Sequence, residues 1–157
     1  MYDIYFEKIN KTVTSIDFIF EILKNYYDFK GKKHDIIKTK NGKPYIKGYG
    51  LHFSISNKND FIAVIVADNP VGIDIEVLKG KDRDNIAKKV LVQEEFLKYE
   101  NLESKLEKEK KFLEFWTKKE AIIKKNGWKL SDIFSLYTKN YNCFTLFLKN
   151  YVLSVCL

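Results

Sequence analysis

Two acidic residues on one predicted strand are the first candidates for chemistry. Residues 71–77 read VGIDIEV, an alternation of apolar and other side chains that predicts a strand. Alternate side chains share a face, so Asp74 and Glu76 lie on the same side, roughly 7 Å apart along the strand. Hard divalent cations prefer oxygen ligands of this kind. The pair is therefore a candidate metal site, although an amphipathic strand with a solvated acidic face explains the same pattern.

A third carboxylate lies on the apolar face of a predicted long helix at 103–125. Glu120 falls on the same stripe as Leu113 and Ile123 at helical spacing. A charge on such a face costs free energy unless something compensates it. An i,i+4 pair with Lys124 is the simplest explanation of the charge, but it does not explain the position of Glu120 on the stripe. A metal shared with the acidic strand explains both.

Two further segments offer polar groups. Residues 53–57 read FSISN, and Ser56 and Asn57 at the end of this predicted strand can bind a phosphate or a ribose. They can equally cap a turn. Residues 42–44 read GKP, which places Lys43 in a turn. Each segment taken alone is an ordinary turn or strand end.

The elements that position these residues are predicted in the order strand, helix, strands, followed by strand, helices, strands. The order predicts an α+β fold with two pseudo-symmetric halves, 1–69 and 70–157, each a small antiparallel sheet packed on a helix. Besides the acidic strand and the long helix, which Asn126-Gly127 ends, the predicted elements are a strand at 2–9, a helix that begins at Thr14 or Ser15 and ends at Gly31, a hairpin at 36–46, strands at 52–57 and 61–67, helical segments at 84–100, and three antiparallel strands between Ile133 and Leu157.

Composition narrows the class of protein. The chain has 157 residues, of which 45% are hydrophobic and 31% are charged, as expected of a soluble globular domain. It has no apolar run of the ~20 residues that a membrane-spanning helix needs. Cys143 and Cys156, the only cysteines, are expected to be free thiols in a reducing cytoplasm, because no export signal is apparent. The net charge of +7 favours acidic or phosphorylated partners.

Taken together and in this order, the motifs resemble the 4′-phosphopantetheinyl transferase superfamily. The resemblance rests on GKP at 42–44, FSISN at 53–57, VGIDIE at 71–76 and FWTKKEAIIK at 115–124. The V-G-I-D-x-E and W-T-x-K-E-A-x-x-K segments, each in the strand or helix that it requires, form a specific signal. The chain is most similar to the larger branch, of the surfactin-synthetase-activating type, with a shortened N-terminal half.

This resemblance implies a transferase that moves 4′-phosphopantetheine from coenzyme A to a serine of an acyl or peptidyl carrier protein. Asp74, Glu76 and Glu120 would bind Mg²⁺, with Mn²⁺ as an alternative. Glu120 would also take the proton of the serine, and Lys124 would contact the phosphates and the departing 3′,5′-ADP. The residues implied to contact coenzyme A are Lys43, Ser56, Asn57, Asp74, Lys119 and Lys124.

Two departures from the family pattern affect coenzyme A binding. Many members carry histidine where this chain has Asn57, which donates a hydrogen bond but supplies no cation. The short N-terminal half also lacks the basic residues that longer members use for the 3′-phosphate. Either the affinity for coenzyme A is reduced, or Lys30, Lys32 and Lys33 replace them.

The carrier protein is expected to be acidic, which suits the positive charge of this chain. Fatty-acid, polyketide and nonribosomal-peptide carriers all remain open. A monomer is expected, because a chain with two halves forms the cleft alone.

Two other functions compete with this prediction. The first is an inactive relative that binds coenzyme A and Mg²⁺ without transferring anything. The second is a small basic module that binds nucleic acid through stacked aromatic rings. Against the second, Arg83 is the only arginine, the aromatic residues fall at positions typical of a core, and nucleic-acid motifs are absent. A zinc enzyme is not expected, because His34 and His52 lack ligand spacing with the cysteines.

Overall fold

Small antiparallel sheets packed on helices make up the computed structural model, which describes residues 1–9 and 13–157 and confirms the α+β class. The strands are β1 (Tyr2–Lys8), β2 (Ile36–Lys38), β3 (Pro44–Ile46), β4 (His52–Lys58), β5 (Phe61–Ala67), β6 (Gly72–Val77), β7 (Cys143–Leu148) and β8 (Tyr151–Cys156). The helices are α1 (Ser15–Tyr26), α2 (Asp84–Val90), α3 (Gln93–Glu100) and α4 (Lys105–Asn126), with 3₁₀ turns at Lys33–Asp35, Leu130–Ser135 and Thr138–Asn140. None of the described helices is long and apolar enough to cross a membrane.

Two three-stranded sheets form the centre of the protein. The N-terminal sheet has the order β1-β5-β4 and the C-terminal sheet the order β6-β8-β7, and all neighbours are antiparallel. β5 is almost continuously apolar because both of its faces are buried. On one face, Ile62 and Val64 pack against Ile19 and Leu23 of α1. On the other face, β5 packs against the C-terminal sheet, whose far side is covered by α4.

The start of α1 is confirmed at the predicted position. Thr14 Oγ1 accepts a hydrogen bond from the backbone N–H of Asp17 at 3.1 Å, and Asp17 Oδ2 accepts one from the backbone N–H of Thr14 at 3.1 Å. This reciprocal cap satisfies two donors that the first turn of a helix leaves unpaired. Such caps are worth ~1 kcal/mol, and here the cap fixes the first residue of α1.

A residue in the left-handed backbone conformation follows both α1 and α4 and ends each helix. Gly127 has φ 65° and ends α4, which confirms the predicted stop after Asn126. The predicted end of α1 at Gly31 is wrong. Asp28 adopts φ 51°, which turns the chain so that Phe29 N–H bonds back to the α1 backbone, and the helix stops at Tyr26.

The prediction of three strands in the tail is also wrong, because β7 and β8 are the only strands described there. The first predicted strand is a 3₁₀ turn. Asp132 Oδ2 accepts a hydrogen bond from the backbone N–H of Lys129 at 3.0 Å, and this local bond favours a turn over an extended chain. Ile133 and Leu136 still reach the core, where they pack beside α4.

Gly72 allows α4 to approach β6 closely. A Cβ atom at this position would lie 1.8 Å from the carbonyl oxygen of Ala121 and 2.7 Å from the backbone nitrogen of Lys125. Both atoms belong to the backbone of α4, so they cannot move aside as a flexible side chain would. Any larger residue would push the helix away from the strand.

Replacing Gly72 with alanine should therefore destabilise the protein. We expect Gly72→Ala to lower the free energy of unfolding by about 3 kcal/mol, as measured by urea denaturation. Gly50→Ala is the matched control, because nothing lies within 4 Å of its Cβ position, and it should change the free energy by less than ~0.5 kcal/mol. Equal stability of the two variants would contradict the close approach.

Candidate active site

Serine hydroxyls join the edges of the two sheets. Ser54 Oγ accepts a hydrogen bond from the backbone N–H of Ile73 at 3.1 Å, and Ser56 Oγ accepts one from Ile75 at 3.3 Å. The contacts advance together along both strands, so β4 and β6 run parallel here. The hydroxyls satisfy main-chain donors that an edge strand leaves unpaired, and they bring Ser56 beside the acidic residues of β6.

Asp74 is the buried centre of the candidate site, with 3% of its surface exposed. Its Oδ1 accepts hydrogen bonds from Ser56 Oγ and from Lys124 Nζ, each at 2.7 Å. Its Oδ2 is buried and has no hydrogen-bond partner among the described residues. A buried carboxylate oxygen without a donor is costly, so the carboxyl group of Asp74 is suited either to the proton that Glu120 carries when it is neutral or to a cation that replaces this proton.

Glu120 faces the same centre from α4. Burial raises the pKa of its carboxyl to about 8, and the negative charge of Asp74 raises it further, against the opposing effect of Lys124. Two carboxylates that share one site cannot both ionise easily without a compensating cation. The predicted grouping of Asp74, Glu120 and Lys124 at one place is therefore observed.

Glu76 lies on the same face of β6 but is paired with a lysine. Lys58 Nζ is 2.7 Å from Glu76 Oε2 and 2.8 Å from Oε1, and both side chains are partly exposed. Among the described residues, no group of three or more His, Cys, Asp or Glu side chains is arranged to hold a metal ion. Lysines instead occupy part of the acidic face, and Glu76 as a third ligand stays a prediction.

Lys43 reaches the cleft from the N-terminal half. Its Nζ donates a hydrogen bond to the carbonyl oxygen of Lys125 at 2.5 Å, and Asn41 Nδ2 donates one to Gly127 at 2.8 Å. The turn between β2 and β3 thereby caps the C-terminal end of α4. Burial and the charge of Lys125 lower the pKa of Lys43 to about 8. Lys43 and Lys124 line the same cleft of about 220 Å³.

The structure does not bring Asn57 or Lys119 to this centre. Asn57 is exposed and lies on the opposite face of β4 from Ser56, as strand alternation requires. Lys119 is 0% exposed, and its Nζ lies 2.9 Å from Glu95 Oε2 and bonds to the carbonyl of Leu136. As the structure stands, neither residue is positioned to contact a cofactor in the cleft.

The Glu95–Lys119 pair fixes α4 against α3 and the tail. Glu95 is 1% exposed, and its Oε1 accepts hydrogen bonds from the backbone N–H and the hydroxyl of Thr138 at 2.9 and 2.8 Å. Burial lowers the pKa of Lys119, and the charge of Glu95 opposes this effect. Because Lys119 precedes Glu120, the pair holds the helix turn that carries the candidate catalytic residue.

A row of three hydroxyl groups, missed by the sequence analysis, joins α4 to the C-terminal sheet. Thr117 Oγ1 lies 2.7 Å from Ser154 Oγ in β8, which in turn lies 2.7 Å from Thr145 Oγ1 in β7. Thr117 also donates to the carbonyl of Leu113 at 2.7 Å. The only signal in the sequence was a threonine in the middle of a helix, which is not specific.

The lysines considered for the 3′-phosphate lie on the surface of the N-terminal half. Lys30 forms an ion pair with Asp28, and Lys33 forms one with Asp17. Exposed pairs of this kind are weak, so they leave both amines available for exchange with another anion.

Two oxygen donors for a divalent cation, the carboxyl groups of Asp74 and Glu120, converge at this centre, and the described residues add no third free carboxylate. Asp74 Oδ2 is buried without a donor, and Glu120 is held near it with a raised pKa. Both observations indicate negative charge that the neighbouring lysines balance only in part. A cation such as Mg²⁺, which prefers carboxylate oxygens, would satisfy both groups.

Comparisons with known proteins agree with this geometry. Residues 70–154 match the family model of the 4'-phosphopantetheinyl transferase superfamily. The chain is 37% identical over 105 residues to a 4'-phosphopantetheinyl transferase of Bacillus subtilis. This aligned region is 63% of this chain and 45% of the relative.

Two more relatives show the same extent of similarity. Psf-1 of Bacillus pumilus, a 4'-phosphopantetheinyl transferase, is 37% identical over 101 residues, which is 62% of this chain and 42% of the relative. Gsp of Aneurinibacillus migulanus, also a 4'-phosphopantetheinyl transferase, is 34% identical over 92 residues, which is 57% of this chain and 37% of the relative. The matches thus span roughly two fifths of the length of these relatives.

The buried ion pair gives a stability prediction. We expect Lys119→Met to lower the free energy of unfolding by about 3–5 kcal/mol, because it leaves the carboxylate of Glu95 buried without a cation. The double variant Glu95→Gln/Lys119→Met should recover most of this loss, since the amide oxygen still accepts from Thr138 and carries no charge. Urea denaturation measures the free energy of unfolding of both variants. Equal losses of stability in the single and the double variant would show that the unpaired charge of Glu95 is not the cause.

Proposed function

This chain belongs to the 4′-phosphopantetheinyl transferase superfamily, and on that premise we propose that it transfers 4′-phosphopantetheine from coenzyme A to a serine of an acyl or peptidyl carrier protein. The observation that carries the proposal is the cluster of Asp74, Glu120 and Lys124 at the junction of the two halves. It combines a buried carboxylate oxygen, a second carboxyl group and a lysine amine, and this lysine also lines the cleft of about 220 Å³ that Lys43 enters.

The proposed reaction makes one bond and breaks one bond. The hydroxyl oxygen of the carrier serine attacks the phosphorus on the pantetheine side of the pyrophosphate. The bond from that phosphorus to the bridging oxygen breaks, and 3′,5′-ADP leaves with the bridging oxygen. Glu120 accepts the proton of the serine hydroxyl, which requires its carboxyl group to be ionised at that moment.

Asp74 and Glu120 would hold a divalent cation, and Glu76 would join them by releasing Lys58. Such a cation, when bound, supplies positive charge that offsets the pyrophosphate and the developing charge on the leaving group. The oxygen donors suit Mg²⁺, and also Mn²⁺.

Lysines on both sides of the cleft suit the phosphates of coenzyme A. Lys124 Nζ lies 2.7 Å from Asp74 Oδ1 and 2.9 Å from Ser56 Oγ, at the floor of the site. Lys43 approaches the same cleft from the other half. An amine held by a carboxylate and a hydroxyl can turn to a phosphate oxygen and stabilise the charge that builds on the departing group.

A second, basic cleft supports an acidic protein as the partner. It has a volume of about 240 Å³, lies beside Glu76, and is lined by the cationic side chains of Lys58, Lys79, Lys81 and Arg83. Positive charge next to the reacting atoms attracts an acidic carrier and orients its serine toward the cleft. We propose that a monomer carries out the reaction in the cytoplasm, since one chain supplies both walls.

Removing either carboxylate of the cluster should abolish transfer. Asp74→Asn and Glu120→Gln should each slow the reaction at least about 100-fold, because the oxygen ligands and the base are lost. The measurement is intact-protein mass spectrometry of an unmodified carrier protein incubated with this chain, coenzyme A and Mg²⁺, with EDTA as a second test of the metal.

The matched control is Glu114→Gln, which changes a carboxylate on the same helix that pairs with Lys111 and Lys118. It should retain nearly the full rate. Rates close to wild type for Asp74→Asn or Glu120→Gln would exclude the proposed site. A folded chain that binds coenzyme A but modifies none of the fatty-acid, polyketide or peptide carriers would favour an inactive relative.

Lys124 should affect the rate more than it affects cofactor affinity. We expect Lys124→Met to slow transfer roughly 10- to 100-fold, because its amine stabilises charge that grows on the leaving phosphate. Lys118→Met, nearly two turns earlier on the same helix and paired with Glu114, is the control and should change the rate little. Single-turnover rates at saturating coenzyme A separate the two effects, and an unchanged rate would remove Lys124 from the chemistry.

A further inference from the structure

The two cysteines of the chain lie directly opposite each other in the C-terminal sheet. Cys143 of β7 pairs with Cys156 of β8 in the antiparallel register. The backbone N–H of Leu157 donates to the carbonyl of Asn142 at 2.9 Å, so that neighbouring pair is hydrogen-bonded. Because the two kinds of pair alternate, the cysteines form a non-hydrogen-bonded pair, with Cα atoms about 4.5 Å apart. Disulfides span Cα distances of about 4.4–6.8 Å.

The next pair in the same row shows that these side chains touch across the strands. Thr145 and Ser154 are also opposite each other, and their hydroxyl oxygens lie 2.7 Å apart. Side chains two residues apart on a strand share a face, so Cys143 and Cys156 meet on this face as well. Both cysteines pack in the cluster between the C-terminal sheet and α4.

The environment of the thiols suits thiol–disulfide exchange. Cys143 is partly exposed and Cys156 is buried, so a dissolved disulfide meets Cys143 first. The mutual contact of the thiols raises the pKa of Cys143 and lowers that of Cys156, while the charge of Lys125 favours the thiolate of either. Cys143 therefore reacts first because it is the exposed thiol and not because it is the more acidic one, and Cys156 is the thiol that ionises more readily for the second step.

We propose that Cys143 and Cys156 form a reversible cross-strand disulfide, a redox site separate from the transfer reaction. The oxidant is a low-molecular-weight disulfide of the glutathione class. The thiolate of Cys143 attacks one of its sulfur atoms and expels a thiolate, which gives a mixed disulfide. Cys156 then loses its proton, attacks the sulfur of Cys143 and expels the second thiolate. The two protein sulfurs lose two electrons, and the small disulfide gains them.

The disulfide would fix β8 to β7 beneath α4. It would close a loop that contains the turn between the two strands, and such a bond stabilises chiefly by restricting the unfolded chain. β8 also binds α4 through Ser154 and Thr117, so the bond would stiffen the support of the helix that carries Glu120. Neither cysteine belongs to the proposed transfer site.

The test uses the full chain in buffers that range from reduced to oxidised glutathione, quenched with acid and analysed by intact mass. The wild-type protein should lose two hydrogen atoms and both free thiols, and its melting temperature should rise by roughly 5 °C or more. Cys156→Ala should instead gain one glutathione at Cys143, and Cys143→Ser should keep its buried thiol. Oxidation should not raise the melting temperature of either variant, because neither can form the disulfide between the strands.

Three results would overturn the proposal. The first is wild-type protein that keeps two free thiols in the oxidised buffer. The second is wild-type protein that stops at the glutathione adduct although Cys156 is present. The third is a disulfide-linked dimer on a non-reducing gel, which would show that the cysteines react between chains and not across the strands.

Discussion

The close approach of α4 to β6 at Gly72 determines the rest of the site. Only a residue without a side chain fits beneath the carbonyl oxygen of Ala121, so the helix lies directly on the strand. At this separation, the carboxyl group of Glu120 comes within the electrostatic reach of Asp74, and the amine of Lys124 reaches its Oδ1. A glycine two positions before the acidic residue therefore sets the distance across which the candidate chemistry takes place.

Charge balance is the second constraint on this centre. Asp74 and Glu120 are too close and too buried to ionise together without a cation, and the lysines around them compensate only part of the charge. Lys124 holds one oxygen of Asp74, and Lys58 holds Glu76. The protein thus keeps amines at the positions where a cation and the phosphates of a cofactor would bring their own charges.

Much of the site was predictable from the sequence because its rules are local. Alternation along β6 placed Asp74 and Glu76 on one face, and helical spacing placed Glu120 on the buried stripe of α4. The same alternation separates Ser56 from Asn57, which the motif comparison had grouped together. The burial of Lys119 was not predictable, because its partner Glu95 lies on another helix and no spacing rule connects the two.

The errors in the fold have similarly specific causes. A short apolar segment can form either a strand or a 3₁₀ turn. At Leu130–Ser135, one local hydrogen bond to the side chain of Asp132 favours the turn. Asp28 ended α1 early by adopting a left-handed conformation that few residues other than glycine tolerate. Neither event leaves a periodic pattern in the sequence, whereas the long helix and the strands do.

The serine contacts between β4 and β6 also bear on solubility. Each of these strands is the last in its sheet, and an uncovered last strand presents main-chain groups that pair readily with another molecule. Ser54 and Ser56 let each edge shield the other without merging the sheets into one. If these contacts separated, the unpaired main-chain groups of β4 and β6 would be exposed together and could pair with another molecule. The two serine hydroxyls thus help to protect the folded chain against aggregation where the two sheets meet.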